Sequence, residues 1–317
     1  MSNRTVLSSI VTPIVREPSP VEAAPAVAEE SKSSDLARRA FFQKMPPFNK
    51  MSFRRAIEAI NNAVWFLRGL TRTETLAEAE ASSTPPQSDL QHYFDGIQTG
   101  PGIWKWKHYF EVYERHFSKF RNNPVNVLEI GIYSGGSLEM WKSYFGAGCT
   151  VYGVDIEESC RAYEAQGIRV FIGDQADRNF WRQFKQDAPK IDIVIDDGGH
   201  LPIQQLTSFE ELFPHLRPGG VYLCEDLSGK MHRFSAYVSG LSAQLHAWAD
   251  GNEDFANNER RLSVKTTPFQ CAVHSIHVYP FIAIIEKRTA PVTEFVAPKH
   301  GTQWQPFGEQ WDRRPKS

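Results

Sequence analysis

Apolar positions along this chain follow two different periods, and the places where one gives way to the other outline its elements. Over residues 52–70, Phe53, Ala56, Ile57, Ile60, Val64, Leu67 and Leu70 recur at helical spacing, with Arg54, Arg55, Glu58 and Arg68 on other faces. That spacing predicts an amphipathic helix, expected to pack on the domain or on a second subunit. Trp65 and Phe66 beside basic residues also make it the one stretch where contact with a membrane surface is conceivable. Residues 104–120 repeat the helical period through Trp106, Tyr109, Phe110, Tyr113 and Phe117, an aromatic stripe that reads as core rather than as a stacking platform. Short apolar runs follow at 127–130, 150–155, 169–172, 191–195 and 221–224, with helical patterns at 138–145, 177–185 and 204–216 between them. Strand and helix alternating in this way predict a parallel sheet with helices on both faces. Phe234, Tyr237, Val238, Leu241, Leu245 and Trp248 mark one more helix. Two closing strands, 275–279 and 281–286, are separated only by Pro280. So short a link holds no crossover helix, so this pair should be antiparallel.

The flanks look different. Residues 1–45 are rich in Ser, Pro, Ala, Val and Glu, and Pro13, Pro18, Pro20 and Pro25 interrupt any helix, which predicts a disordered tail. Residues 46–88 hold the amphipathic helix and a linker, 89–290 the folded domain, and 291–317 a C-terminal tail that Trp304, Phe307 and Trp311 could anchor. A net charge of −2 gives no global basic field for nucleic acid. The four cysteines (Cys149, Cys160, Cys224 and Cys271) include no C-x-x-C pair, which argues against zinc or a disulfide framework and fits a reducing compartment. No apolar run reaches the ~18 residues of a membrane span, and the first ten residues lack the features of a secretory signal. The cytoplasm is the expected location.

Candidate chemistry gathers at the strand ends, where open parallel sheets bind their ligands. The stretch 127–137 reads as a buried strand, a turn carrying Gly131, Gly135 and Gly136, and a helix start that Ser137 can cap. The glycines would let backbone approach a ligand, and the helix N–H groups would favour a polar or anionic end. Asp155, 24 residues after Gly131, ends the second strand where a carboxylate can accept ribose hydroxyls, and Asp174 could accept from an adenine amino group. The fourth strand ends in Asp196-Asp197-Gly198-Gly199-His200 and the fifth in Glu225-Asp226. Neighbouring strands lie ~4.8 Å apart, so these acids can converge on one ion, and an oxygen-rich set without cysteine suits Mg²⁺. No G-x-S-x-G elbow is present. His215, His232, His246, His274 and His277 fall in helix or strand patterns and read as packed or surface groups.

The pattern Glu129-x-Gly131-x-x-x-Gly135 resembles the first motif of class I S-adenosylmethionine-dependent methyltransferases, and not the G-x-G-x-x-G of nicotinamide dehydrogenases. The closing antiparallel pair is similar to that family too, and the resemblance covers residues 89–290. It implies an α/β fold, a Rossmann-like doubly wound seven-stranded sheet, mostly parallel with an antiparallel strand near the C-terminal edge. It implies S-adenosyl-L-methionine held by Glu129, Gly131, Tyr133, Ser134, Gly135, Ser137, Asp155, Asp174 and Asp196. The acidic strand ends resemble the metal-dependent sugar O-methyltransferases of macrolide and aminocoumarin pathways and the cephalosporin-hydroxylase/rhamnosyl-methyltransferase group. The macrolide branch implies Asp197, Glu225 and Asp226 as Mg²⁺ ligands, with Asp196 an alternative to Asp197, and His200 as general base. The implied reaction is methylation of a hydroxyl on a sugar or glycosylated small molecule, in an enzyme that is often a homo-oligomer. Trp104, His232, Asn252 and Gln270 are candidates for the acceptor pocket. Competing readings are an O-methyltransferase of a lipid-linked or polyketide acceptor, and a non-catalytic cofactor-binding scaffold in a biosynthetic complex.

Overall fold

Side chains alternate across a strand, and here that alternation decides which helix covers which face of the sheet. The computed structural model describes residues 53–71, 87–229, 232–249, 263–298 and 300. The 1–45 tail, nearly all of the linker, Asn252, Trp304, Phe307 and Trp311 lie outside the described residues. The chain divides after Ala81 into two units. In the first, the expected helix is present as α1 (Phe53–Thr71), with Val64, Trp65, Phe66 and Leu67 exposed. No helix among the described residues is long and apolar enough to cross a membrane.

The second unit opens with α2 (Asp89–Gly96) and α3 (Tyr109–Phe117), then alternates strand and helix. In order come β1 (Val125–Ile130), α4 (Gly136–Phe145), β2 (Cys149–Asp155), β3 (Ile168–Ile172), α5 (Arg178–Asp187), β4 (Ile191–Asp196), α6 (Pro202–Leu212) and β5 (Leu216–Cys224). They are followed by α7 (Arg233–Gln244), β6 (Ser263–Lys265), α8 (Pro268–Ala272), β7 (Val273–Tyr279), β8 (Ile282–Lys287) and β9 (Glu294–Val296). Seven strands form one sheet in the order β3-β2-β1-β4-β5-β8-β7, and β6 pairs with β9 outside it. β8 runs antiparallel between β5 and β7, so the sheet is mostly parallel with one reversed strand near its edge, as expected.

Both faces are covered. Val127, Ile193, Ile195, Val221, Leu223 and Ile284 pack with α2, α3 and α4, including Tyr113, Phe117 and Trp141. Leu128, Ile130, Val194, Tyr222 and Ile285 point the other way, onto Trp181 and Phe184 of α5, Phe209 of α6 and Phe234 of α7. The strands are therefore mainly apolar on both faces, because neither side meets water.

Several boundaries differ from the sequence reading: α6 ends at Leu212 rather than near 216, and α7 at Gln244, short of Trp248. Helix α3 begins only at Tyr109, so residues 104–108 form a loop that reaches toward the strand ends. The Pro218-Gly219-Gly220 segment, expected as a turn, lies inside β5, where the register with β4 is interrupted. Ser137 does not cap α4. Gly135, with φ of 77°, holds that position, and the buried Ser137 hydroxyl donates to Glu129 at 2.7 Å.

Candidate active site

Parallel strands deliver their carboxyl ends to one edge of the sheet, and a cavity of about 820 Å³ opens there. At one end it is lined by Gly131, Tyr133, Ser134, Ser137, Asp155 and Asp174, all expected to face the cofactor. At the other end stand Asp197, His200, Glu225 and Asp226. One cavity therefore joins the glycine turn to the acidic strand ends.

The glycine turn is built by the chain's own packing. Gly131 has φ of 92°, and a Cβ there would run into the Asp197 carbonyl at the end of β4. Gly135 likewise lies under the Tyr163 ring. The space a Cβ would need at these glycines is filled by protein, while the Gly131 backbone itself lines the cavity. Neither Gly135 nor Glu129 is among the residues lining the cavity. Asp155 is at the end of β2, with Oδ2 accepting from the amides of Ile132 (2.8 Å) and Tyr133 (3.1 Å) and Oδ1 from Glu157 (2.9 Å). A carboxylate has about four lone-pair sites, so three protein donors leave it narrow capacity for a further hydroxyl. Asp174 is exposed at the end of β3 and accepts from the Ala176 amide.

Asp196 faces the other way and is absent from the lining. Its carboxylate accepts from Tyr222 (2.7 Å) and Gln175 (3.0 Å) and is 1% exposed, and burial, opposed by these two bonds, pushes its pKa up to about 6. The alternation of β4 explains this, since consecutive residues point to opposite sides. Asp196 thus anchors the loop after β4, in which Gln175 also receives the Gly199 amide at 2.8 Å. Neither role expected for it, cofactor contact or stand-in metal ligand, matches that position.

The acid end is arranged in two layers. In the outer layer His200 Nε2 lies 3.5 Å from Asp226 Oδ2 and 4.0 Å from Asp197 Oδ1. These three residues have ligand atoms within 4.8 Å of one another, close enough to surround an ion. His200 and Asp226 both sit in the left-handed region, with φ of 56° and 57°. Such backbone costs roughly 1–3 kcal/mol per residue and persists where surrounding structure enforces it. His200 Nδ1 is buried without a hydrogen-bond partner.

The inner layer contains a residue that sequence reasoning missed. Lys105, from the loop before α3, places Nζ 2.5 Å from Asp197 Oδ2, 3.1 Å from Glu225 Oε2 and 3.5 Å from Glu129 Oε1. Burial disfavours its charge, but the three carboxylates outweigh burial and raise its pKa well above the usual lysine range. Burial likewise pushes the Glu225 carboxyl up, against the pull of Lys105. Tyr113 donates to Glu225 Oε1 at 2.7 Å. Tyr109 (2.7 Å) and Trp106 (3.1 Å) donate to Asp226 Oδ1. The aromatic stripe is therefore core in its rings and site in its polar tips. Tyr in place of Phe at positions 109 and 113, one helical turn apart on a buried face, was the available signal. Asp197, Glu225 and Asp226, when ionised, outnumber this ammonium by two charges. An oxygen-rich set with that deficit fits a hard divalent cation such as Mg²⁺.

A second cluster is built on packed groups, as expected for His277. His277, read as a packed or surface group, meets His116 and Glu286 within 4.8 Å on the α3 side of β7 and β8. His116 Nδ1 lies 2.9 Å from Glu286 Oε1, and its Nε2 lies 3.0 Å from the Tyr279 hydroxyl.

The reversed β8 strand, the strand order and the cavity at the strand ends define a class: this is the Rossmann-like methyltransferase fold. Residues 128–227 match the model of the methyltransferase domain family. The chain is 40% identical over 170 residues to demethylmacrocin O-methyltransferase of Streptomyces fradiae, covering 51% of this chain and 42% of that protein. It is 35% identical over 225 residues to 8-demethyl-8-alpha-L-rhamnosyl tetracenomycin-C 2'-O-methyltransferase of Streptomyces olivaceus, covering 67% of this chain and 57% of that one. The chain thus spans about half the length of the curated relatives it matches. Among solved structures, the MycE methyltransferase from the mycinamycin biosynthetic pathway, in complex with Mg and SAH, matches with a TM-score of 0.52 and 29% identity. That match covers 66% of this chain and 56% of MycE.

Proposed function

We propose that this chain is an S-adenosylmethionine- and Mg²⁺-dependent O-methyltransferase acting on a hydroxyl of a sugar borne by a small molecule. The observation that carries the reading is the single cavity joining the glycine turn to the outer layer of Asp197, His200 and Asp226. The relatives support the acceptor class, since each is named as an O-methyltransferase and one name specifies a rhamnosyl group. MycE, solved with Mg and SAH, supports the cofactor pair.

In this reading Gly131, Tyr133, Ser134, Ser137, Asp155 and Asp174 hold the methyl donor, and Asp197, Glu225 and Asp226 hold the cation. When bound, S-adenosylmethionine supplies an electrophilic methyl group and Mg²⁺ supplies Lewis acidity beside the acceptor hydroxyl. His200 takes the hydroxyl proton at Nε2, the nitrogen that faces both carboxylates. Tyr109 and Trp106 fix Asp226 through its Oδ1, leaving Oδ2 toward His200. Trp104 and Trp106 line the cavity on the acceptor side, and Trp104 is largely exposed there. Holding both reactants in one cavity replaces a chance encounter with an aligned one.

The test measures S-adenosylhomocysteine release with pooled rhamnosides and other glycosides, with Mg²⁺ and after chelation. The expected result is glycoside-dependent release that EDTA abolishes and Mg²⁺ restores. Release unaffected by chelation would remove the metal from the proposal, and release confined to unglycosylated acceptors would remove the sugar.

A further inference from the structure

The turn joining β7 to β8 carries a residue that its own geometry disfavours. Tyr279 pairs with Ile282, so Pro280 and Phe281 make the whole connection, and Phe281 has φ of 64°. A proline followed by a left-handed residue is the pattern of a type II turn, whose second central position favours glycine or asparagine. A bulky phenylalanine there is strained, and strain of that kind is kept where a site needs the side chain. The core does not need it: Phe281 is 39% exposed, and it lines the cavity.

The turn is held from two sides. The Phe281 carbonyl accepts from the Leu227 amide at 3.0 Å, one residue past Asp226. The Pro280 carbonyl lies 3.1 Å from His108 Nε2. The Phe281 ring centroid is 5.9 Å from that of Trp106, with the planes tilted by 52°, and 6.0 Å from that of His108. Trp106 is itself 54% exposed, lines the same cavity and donates Nε1 to Asp226 Oδ1 at 3.1 Å. An exposed aromatic wall is therefore fixed, through one indole, to a carboxylate of the acid cluster.

We propose that Phe281 and Trp106 form a subsite for the aglycone of the acceptor, holding a flat apolar ring while the attached sugar reaches the acid cluster. The inference rests on the glycoside reading above and deepens it by naming what recognises the rest of the acceptor. Its basis is a division of chemistry within one cavity. Sugar hydroxyls suit the carboxylate end, whereas the Phe281 ring offers no hydrogen bond and gains contact only from apolar surface. Held on both sides, the wall loses little freedom when a ring settles on it. Phe281 touches no reacting atom in this account and acts on acceptor choice.

Matched methyl and 2-naphthyl glycosides are the probes, over the sugars of the pool used above. Turnover is read with S-adenosylmethionine and Mg²⁺, and calorimetric binding with S-adenosylhomocysteine and Mg²⁺, on the intact chain. For each sugar accepted, the parent should show KM and Kd at least ~10-fold lower for the naphthyl glycoside. Phe281→Gly should bring the two probes within about threefold by raising KM for the naphthyl glycoside, with kcat and the methyl glycoside unchanged. It should also raise the melting temperature, since glycine fits the turn. Phe281→Tyr should keep the preference. Should Phe281→Gly fail to fold, Phe281→Asn, which the turn also favours, takes its place. A parent that treats both probes alike, or a Phe281→Gly protein that keeps the preference, would overturn the inference and leave the glycoside reading standing. If no pair is bound or methylated, the glycoside reading itself fails and takes the inference with it.

Discussion

Among the described residues, two clusters of titratable side chains could surround an ion: Asp197, His200 and Asp226 at the strand ends, and His116, His277 and Glu286 beside β7 and β8. In the second cluster the groups complete one another. His116 spends one ring nitrogen on Glu286 and the other on Tyr279, and Lys119 adds its ammonium 3.5 Å from Glu286. The His116 bond, then the lysine, hold the Glu286 carboxyl down to about 2, a tie expected to contribute to stability. The strand-end cluster is the opposite. It has excess negative charge, two residues in left-handed backbone and a buried His200 nitrogen without a partner. Buried polar groups are normally satisfied, so strain and unmet bonding capacity single out this cluster as the functional candidate of the two. Proximity of potential ligands is common to both places; incompleteness belongs to one.

Substitutions should separate the two. The largest effect is expected from His200→Ala, which should lower turnover by ~10²–10⁴-fold while calorimetry shows donor affinity unchanged. Asp226→Asn follows, with at least ~10²-fold lower Mg²⁺-stimulated turnover and no fall in melting temperature, because it relieves repulsion. Glu286→Gln should do the reverse, keeping turnover and costing about 1–2 kcal/mol of stability at pH 7 after allowance for partial solvent screening. The sign follows from the depressed carboxyl. Glu286 stabilises the fold above the ordinary carboxyl pKa of 4.5 and loses that contribution as pH falls toward about 2. Urea unfolding of parent and variant should therefore differ at pH 7 and converge below pH 4.5. A gap that widens in acid would contradict the assignment. The smallest effect is Tyr109→Phe, which removes one donor from Asp226 and should cost about 1 kcal/mol, read as a rise of roughly fivefold in the Mg²⁺ concentration for half-maximal turnover.

Much of this arrangement was legible in the sequence, for a physical reason. Strands buried on both faces must be apolar runs, and their ends must be polar where the sheet meets its cavity, so Asp155, Asp174, Asp197, Glu225 and Asp226 were visible as interruptions. The one-residue link between the closing strands dictated their antiparallel pairing, and the two-residue link found at Pro280-Phe281 is consistent with it. What stayed hidden depends on tertiary contact. Lys105 lies 92 and 120 residues from its partners Asp197 and Glu225, and nothing local marks a lysine in a loop as a buried one. Asp196 beside Asp197 was ambiguous because only the pleat decides which of two neighbours faces the cavity. His116 and His277 meet only because α3 lies over the last two strands.

The loop and helix that supply Lys105, Trp106, Tyr109 and Tyr113 all precede residue 128, whereas the acids they serve lie within the stretch matched to the methyltransferase family. A protein trimmed to that match would keep every negative group and none of the donors that tame them. The ten residues 104–113 carry these donors together with the buried rings of Tyr109, Phe110 and Tyr113. Exchanging them between relatives offers a way to retune metal appetite while every strand of the sheet stays as it was.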